Sequence, residues 1–297
     1  MQKVSRDTVV YSMSAENESV LFADPGTQIL FETWDALHGQ IKNADEGFDG
    51  LDWERVNPAT GPVYINGAQV GDILSVRIDK IEIEQTGVVI CGKGMGVMGG
   101  VLQGSATKIL PIENDMAVFS NEIHLPLNKM IGVIGVAPKG SAISCGAPDL
   151  HGGNMDCKEI KEGATLLLPV NVPGALLALG DLHAVMADGE IGVSGLEVSG
   201  SVIVTVDVIK NKALPLPMII NESHVMTLAS DADLDIAVEM AVVNMVDYLT
   251  KEQDFTPEDA VMLTSLAGDV KICQVVDPKK TIRVEFPKKY LNKAVII

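Results

Sequence analysis

Aromatic residues make up only 4% of this 297-residue chain, so its core must come from Val, Ile, Leu, Ala and Met within a hydrophobic share of 47%. Basic residues are the next shortage: 22 Lys and Arg stand against 40 Asp and Glu, a net charge of −18. Such a surface repels phosphate backbones and anionic lipid heads, which argues against nucleic-acid and membrane partners. No Arg cluster offers a pocket for an anionic substrate, so a small neutral one fits better. The four cysteines (Cys91, Cys145, Cys157, Cys273) form no CxxC pair. No apolar run approaches the ~20 residues of a membrane span, and none follows the polar start Met1-Gln2-Lys3-Val4-Ser5-Arg6. Reduced thiols in a soluble, cytoplasmic protein are expected. Cys145 lies in Ser144-Cys145-Gly146 with nothing nearby to lower its thiol pKa, and reads as a small apolar filler.

What is present is mostly strand. Segments 4–14, 28–33, 63–65, 73–84 and 87–91 are β-rich runs bracketed by turn residues. Segment 73–83 alternates apolar and polar, as a strand half-buried on one face does. Further runs cover 131–136, 165–172, 175–179 and 201–208, the last β-branched enough to be central. From Asp231 the period changes to that of a helix behind an acidic first turn. A second helix is announced by Thr256 as cap, Pro257 at its first position and Gly268 at its end. The fold class is therefore α+β, mainly β: a sandwich or barrel-like core over 1–210 and a smaller α+β part over 211–297. The run Gly92-Lys93-Gly94-Met95-Gly96-Val97-Met98-Gly99-Gly100 lacks both the P-loop spacing and a βαβ setting, and reads as a turning loop near a pocket.

The chemistry concentrates after residue 180. Gly180-Asp181-Leu182-His183 and Asp188-Gly189-Glu190 place three acids and one of only five histidines within eleven residues. In an extended chain Asp181 and His183 share a face. Like charges that close repel unless a cation or shared protons intervene, and imidazole with carboxylate is a set that zinc accepts. Asp35 and His38 form a second acid–imidazole pair from a distant segment. In His151-Gly152-Gly153-Asn154-Met155-Asp156, two glycines expose backbone N–H groups beside a histidine, although Asn154 and Asp156 are also ordinary turn formers.

Several of these segments together resemble the acetamidase/formamidase family. They are Asn57-Pro58-Ala59-Thr60-Gly61-Pro62-Val63-Tyr64-Ile65, Ile131-Gly132-Val133-Ile134-Gly135-Val136-Ala137-Pro138, the His151 to Asp156 run, Gly180-Asp181 with His183, Asp188-Gly189-Glu190, and the stretch from Ser265 to Val276. They follow the family order over nearly the whole chain. The resemblance implies a mainly β fold, a homodimer or higher homo-oligomer, and hydrolysis of short amides to carboxylate and ammonia. It also implies a divalent metal, zinc first and calcium second. Carried over, it makes Asp35, Asp181 and His183 metal ligands, Glu190 the general base, and Asp188 a further ligand or supporting acid. His151 or the Gly152-Gly153 amides would stabilise the oxyanion. Leu182, Val185 and Met186 depart from the family's smaller or polar residues, which bears on pocket shape; the resemblance assigns no role to His38. Two rival readings share the site: a non-catalytic small-molecule binder with structural calcium, and a hydrolase of another small C–N substrate.

Overall fold

The structure, a computed structural model, describes residues 1–295. Nine strands form one sheet in the order Gln2–Val4, Gln28–Thr33, Gly200–Ile209, Ile73–Ile83, Thr165–Pro169, Met218–Ile220, His224–Asp231, Lys280–Pro287 and Asp269–Gln274. The β-branched strand Gly200–Ile209 is central, as its composition demands: it pairs antiparallel with Gln28–Thr33 on one side and Ile73–Ile83 on the other. Its residues Val202, Val204 and Val206 are buried at period two.

A second sheet of eleven strands holds Leu177–His183 between Met130–Gly135 and Glu197–Val198, with Ala59–Ile65 also pairing to it. One apolar cluster draws Phe31, Val76, Ile78 and Val204 from the first sheet and Val63, Ile131, Ile134 and Leu179 from the second. The core thus lies between two sheets, as in a sandwich.

The late helices are α1 (Leu234–Gln253) and α2 (Pro257–Ala267). Asp233 caps α1 by accepting from the N–H groups of Asp235 and Ile236, and Thr256 caps α2 through Asp259 N–H. Ala237, Ala241, Met245 and Leu249, four residues apart, bury one stripe of α1 in a cluster with Val284 and Phe286. The first sheet runs across residue 210 without a break, because Met218–Ile220 pairs with Thr165–Pro169.

The strand that carries Asp181 and His183 departs from the sequence reading, whereas the glycine-rich loop follows it. The strand expected from Ala175 begins at Leu177, because Ala175 and Leu176 have left-handed backbones. It then runs to His183, which puts Asp181 and His183 inside the sheet rather than after it. The glycine-rich loop turns back on Ile191: Val97 N–H donates to its carbonyl at 2.9 Å, and a Cβ at Gly96 would lie 2.6 Å from that oxygen.

Candidate active site

Strand pairing assembles the site. His183 is the register partner of Glu197, which brings a carboxylate fourteen positions away in sequence to the imidazole. On the other side, Met130–Gly135 pairs with both Leu177–His183 and Gly152–Asn154, so Asn154 and then Asp156 arrive beside Asp181. Gly132 lies between the partnered residues of that pairing. A Cβ there would stand 2.5 Å from Asp156 Oδ1 and 2.6 Å from Asp181 Oδ2, so only glycine leaves room for both carboxylates. Asp156, Asp181 and Glu190 all have positive φ (41°, 57° and 44°). Such non-glycine residues cost about 1–3 kcal/mol each, and they cluster where function requires the geometry.

Four carboxylates surround one imidazole nitrogen. From His183 Nε2 the distances are 3.2 Å to Asp181 Oδ1, 3.2 Å to Glu197 Oε1, 3.8 Å to Asp156 Oδ1 and 4.0 Å to Glu190 Oε1. All five side chains are buried. Nδ1 faces Met186 Sδ at 3.3 Å, and Gly195 leaves space for the ring. Asp277 enters from the C-terminal part and faces Asp156 and Asn154. Its loop is shaped by buried Gln274, which accepts from the N–H groups of Val276 and Asp277 and donates to Lys279 O and Thr281 Oγ1.

The electrostatics follow from burial and crowding. Burial pushes Glu190 up to about 8, with the charges of Glu197, Asp181 and Asp277 adding and His183 opposing. Glu197 is likewise pushed up to about 8 by burial and by Asp181, against His183. Burial, then Glu190 and Asp181, drive Asp156 well above the carboxylate range. Burial also works against ionised Asp181, but the charge and hydrogen bond of His183 outweigh it and hold that carboxyl low. For His183 burial favours the neutral ring, and Glu197 with Asp181 reverse this. One imidazolium does not neutralise four carboxylates, so the cluster holds together only with shared protons or a cation.

Asp156, His183 and Glu190 each offer a ligand atom within 4.8 Å of one another, as do Asp181, His183 and Glu197. Asp156 Oδ1, Glu190 Oε2 and Glu197 Oε2 are buried without hydrogen-bond partners. An orphaned buried carboxylate oxygen is costly, and a divalent cation held by either group would offset part of that cost. The donor set therefore fits such an ion.

Of the residues singled out in the sequence, Asp181, His183 and Glu190 meet here; Asp35, His151 and Asp188 take other places. Asp35 feels the charge of Asp181, but its Oδ1 accepts from Leu37 and Gly39 N–H at 2.9 and 3.0 Å and its Oδ2 faces Ser199 Oγ. His38 faces the Tyr11 hydroxyl through Nδ1 at 2.6 Å and packs against Trp34. Glu197 and Asp277 carried no sequence signal of their own. Asp156 was visible as part of the His151 to Asp156 run, with a turn-forming role as the competing reading.

Asp188 is held by a clamp. The Arg283 guanidinium, 1% exposed, donates to both its oxygens at 2.6 and 2.9 Å, and Lys158 pairs with it at 2.8 Å. Next to it, Gly189 N–H donates to Cys273 O and Gly189 O accepts from Val275 N–H, which pins the turn carrying Glu190 to the C-terminal part. Arg283→Met is expected to cost about 2–4 kcal/mol, below the full penalty of a broken buried pair because Asp188 keeps Lys158. Urea denaturation checks this; a loss under 1 kcal/mol would mean that the clamp is dispensable.

His151 is 1% exposed with both ring nitrogens unpartnered, and burial pushes it down to about 4. Its folded pKa lies below the unfolded value, so its stabilisation is complete above about pH 6.5 and is lost as pH falls towards 4. The size is about 3 kcal/mol for a shift of this extent. His151→Leu should therefore lose about 3 kcal/mol less than the unchanged protein between pH 7.5 and 4 in denaturant titrations. Equal losses would contradict this. Cys145, also buried, is pushed up to about 12, consistent with an inert filler.

Over the cluster lies a cavity of about 340 Å³ lined by its acids, by Asn154 and Asp277, and by apolar side chains including Leu37, Phe48, Trp53 and Val193. Residues 15–145 and 140–292 match the sequence profile of the Acetamidase/Formamidase family. The chain belongs to that family. The crystal structure of a predicted acetamidase/formamidase from the thermophile Thermoanaerobacter tengcongensis is similar with 45% identity, 97% of this chain and 96% of that one covered, and a TM-score of 0.95. That of an acetamidase from Bacillus halodurans gives 43%, 97%, 98% and 0.96. An acetamidase of Mycolicibacterium smegmatis is 27% identical over 63% of this chain and 62% of its own. The chain spans about three fifths of the length of the curated relatives it matches at that identity. Membership in the acetamidase/formamidase family agrees with the mainly β, two-sheet architecture.

Proposed function

We propose that this chain hydrolyses small neutral amides, formamide and acetamide among them, to carboxylate and ammonia. The observation that carries the reading is the buried carboxylate–imidazole cluster lining a cavity that has apolar side chains but no Lys or Arg. His183 with Asp181, Glu197 and Asp156 supplies the donors for a divalent metal, zinc first and calcium second. When bound, such an ion acidifies a water and polarises a carbonyl.

The chain's own groups do the rest. Glu190, pushed up to about 8, takes a proton from the attacking water and returns it to the leaving nitrogen, since a base works best with a pKa near the working pH. Asn154 Oδ1 and Asp277 Oδ2, both without partners, accept from the amide N–H groups. Asp188, with Arg283, fixes the turn on which Glu190 sits. His151 packs its ring against Gly153, where a Cβ would stand 3.1 Å from it. Asp35 braces the loop 35–39 beside Asp181.

Further expectations join this reading. Four unpaired thiols support a cytoplasmic setting, and no helix among the described residues is long and apolar enough to cross a membrane. The net charge of −18 opposes nucleic-acid partners. Exposed Val261, Met262 and Leu266 on α2, with Val270 and Ile272 on the adjoining edge strand, support a homodimer or larger homo-oligomer. The test is ammonia release from formamide and acetamide by purified protein. Release above the rate of a His183→Ala variant supports the reading, and none from either amide removes it.

A further inference from the structure

The cavity is larger than a one- or two-carbon amide requires, and one of its walls is apolar. Formamide and acetamide have three and four heavy atoms, and at roughly 30 Å³ per water-sized group they fill about 90–120 Å³. That leaves most of the 340 Å³ unclaimed. Away from the acids, one side of the lining is Leu37, Phe48, Trp53, Ile90, Met95 and Val193; Asn57, Asn154, Ser144 and Ser194 are its uncharged polar members, and no Lys or Arg lies among the lining residues.

This wall is built in advance of any ligand. Leu37 and Ile90 are buried in a small apolar cluster with Ile41, Leu51 and Val88, on which Phe48 packs. Phe48 and Trp53 stack at 5.8 Å between centroids and 21° between planes. Gly92 leaves room for the Phe48 ring, since a Cβ there would meet it at 2.9 Å. Ser194, the polar residue of this stretch, spends its hydroxyl on the backbone of Ile90, accepting from its N–H at 3.0 Å and donating to its carbonyl at 3.1 Å. A rigid apolar wall facing a few convergent polar groups is the usual form of a site for a ligand larger than a few atoms.

We infer that this cavity is an acyl pocket for primary amides whose acyl group is apolar and well larger than acetyl, a straight chain of about six carbons or an arylacetyl group. The inference rests on the amide-hydrolysis reading above. An acyl group bearing a carboxylate is excluded, because it would meet the acid cluster with no cation on the wall to pair it. Each methylene taken from water onto such a wall should raise kcat/KM by up to roughly fourfold.

The experiment is the kcat/KM series for acetamide, butyramide, hexanamide and phenylacetamide, by ammonia release from the full chain. The expected result is a rise of roughly tenfold or more from acetamide to hexanamide or phenylacetamide. A steady fall beyond acetamide, with acetamide itself turned over, overturns the acyl pocket and leaves the amide-hydrolysis reading standing. Ammonia from none of the four overturns both. Trp53 is half-exposed, so Trp53→Ala should fold; it is expected to lower kcat/KM for phenylacetamide at least fivefold relative to acetamide. Equal scaling of both substrates by that variant counts against the wall as the acyl site.

Discussion

Glu190→Gln is expected to leave the protein folded and to lower kcat for acetamide by ~10²–10⁴, the usual contribution of a positioned proton-transfer group. The carboxylate is buried among three others, and its Oε2 has no hydrogen-bond partner. Glutamine keeps the shape and removes both the basic site and one negative charge. Less repulsion in the cluster means that thermal stability holds or rises while activity falls, the trade-off common at strained sites. Metal content, measured on the same sample, separates two roles. Retained metal with lost turnover fits the general base; metal lost together with turnover would make Glu190 a ligand instead. Activity within tenfold of the unchanged protein would remove it from the mechanism.

Gly132→Ala should be nearly as damaging, although glycine carries no chemistry. Its added methyl would stand 2.5 Å from Asp156 Oδ1, 2.6 Å from Asp181 Oδ2 and 2.9 Å from the Asp181 backbone oxygen. Side-chain rotation relieves the first two contacts only by moving the carboxylates, and the third resists because it belongs to the sheet. Misplacing such groups by about 1 Å costs ~10² in rate, and overpacking costs about 1–3 kcal/mol of stability. A drop of at least that size in kcat/KM, with a folded protein by circular dichroism, is the expected result. Activity within threefold would show that the spacing of Asp156 and Asp181 is not what the reaction needs.

Local chemistry made much of the fold legible. Alternation and β-branching marked Gln28–Thr33, Ile73–Ile83 and Gly200–Ile209, and the acidic turn from Asp231 and the cap Thr256 with Pro257 marked where the helices begin. The strand break at Ala175 and Leu176 was hidden, because two left-handed apolar residues leave no compositional trace. In the site, Asp181, His183 and Glu190 could be read because they sit within ten residues. Glu197 could not, since only the register His183↔Glu197 makes it a neighbour. Asp277 arrives from the opposite end of the chain on a loop ordered by a buried glutamine. The Asp188–Arg283 pairing could not be read either, because the two residues lie ninety-five positions apart.

The measurement that bears most directly on the central claim is ammonia release from acetamide with metal content determined on the same sample, before chelation, after it, and after zinc is restored. The account predicts about one divalent ion per chain, activity that disappears on chelation and returns with zinc, and a His183→Ala variant that holds less metal. Full turnover by protein stripped of metal would contradict it.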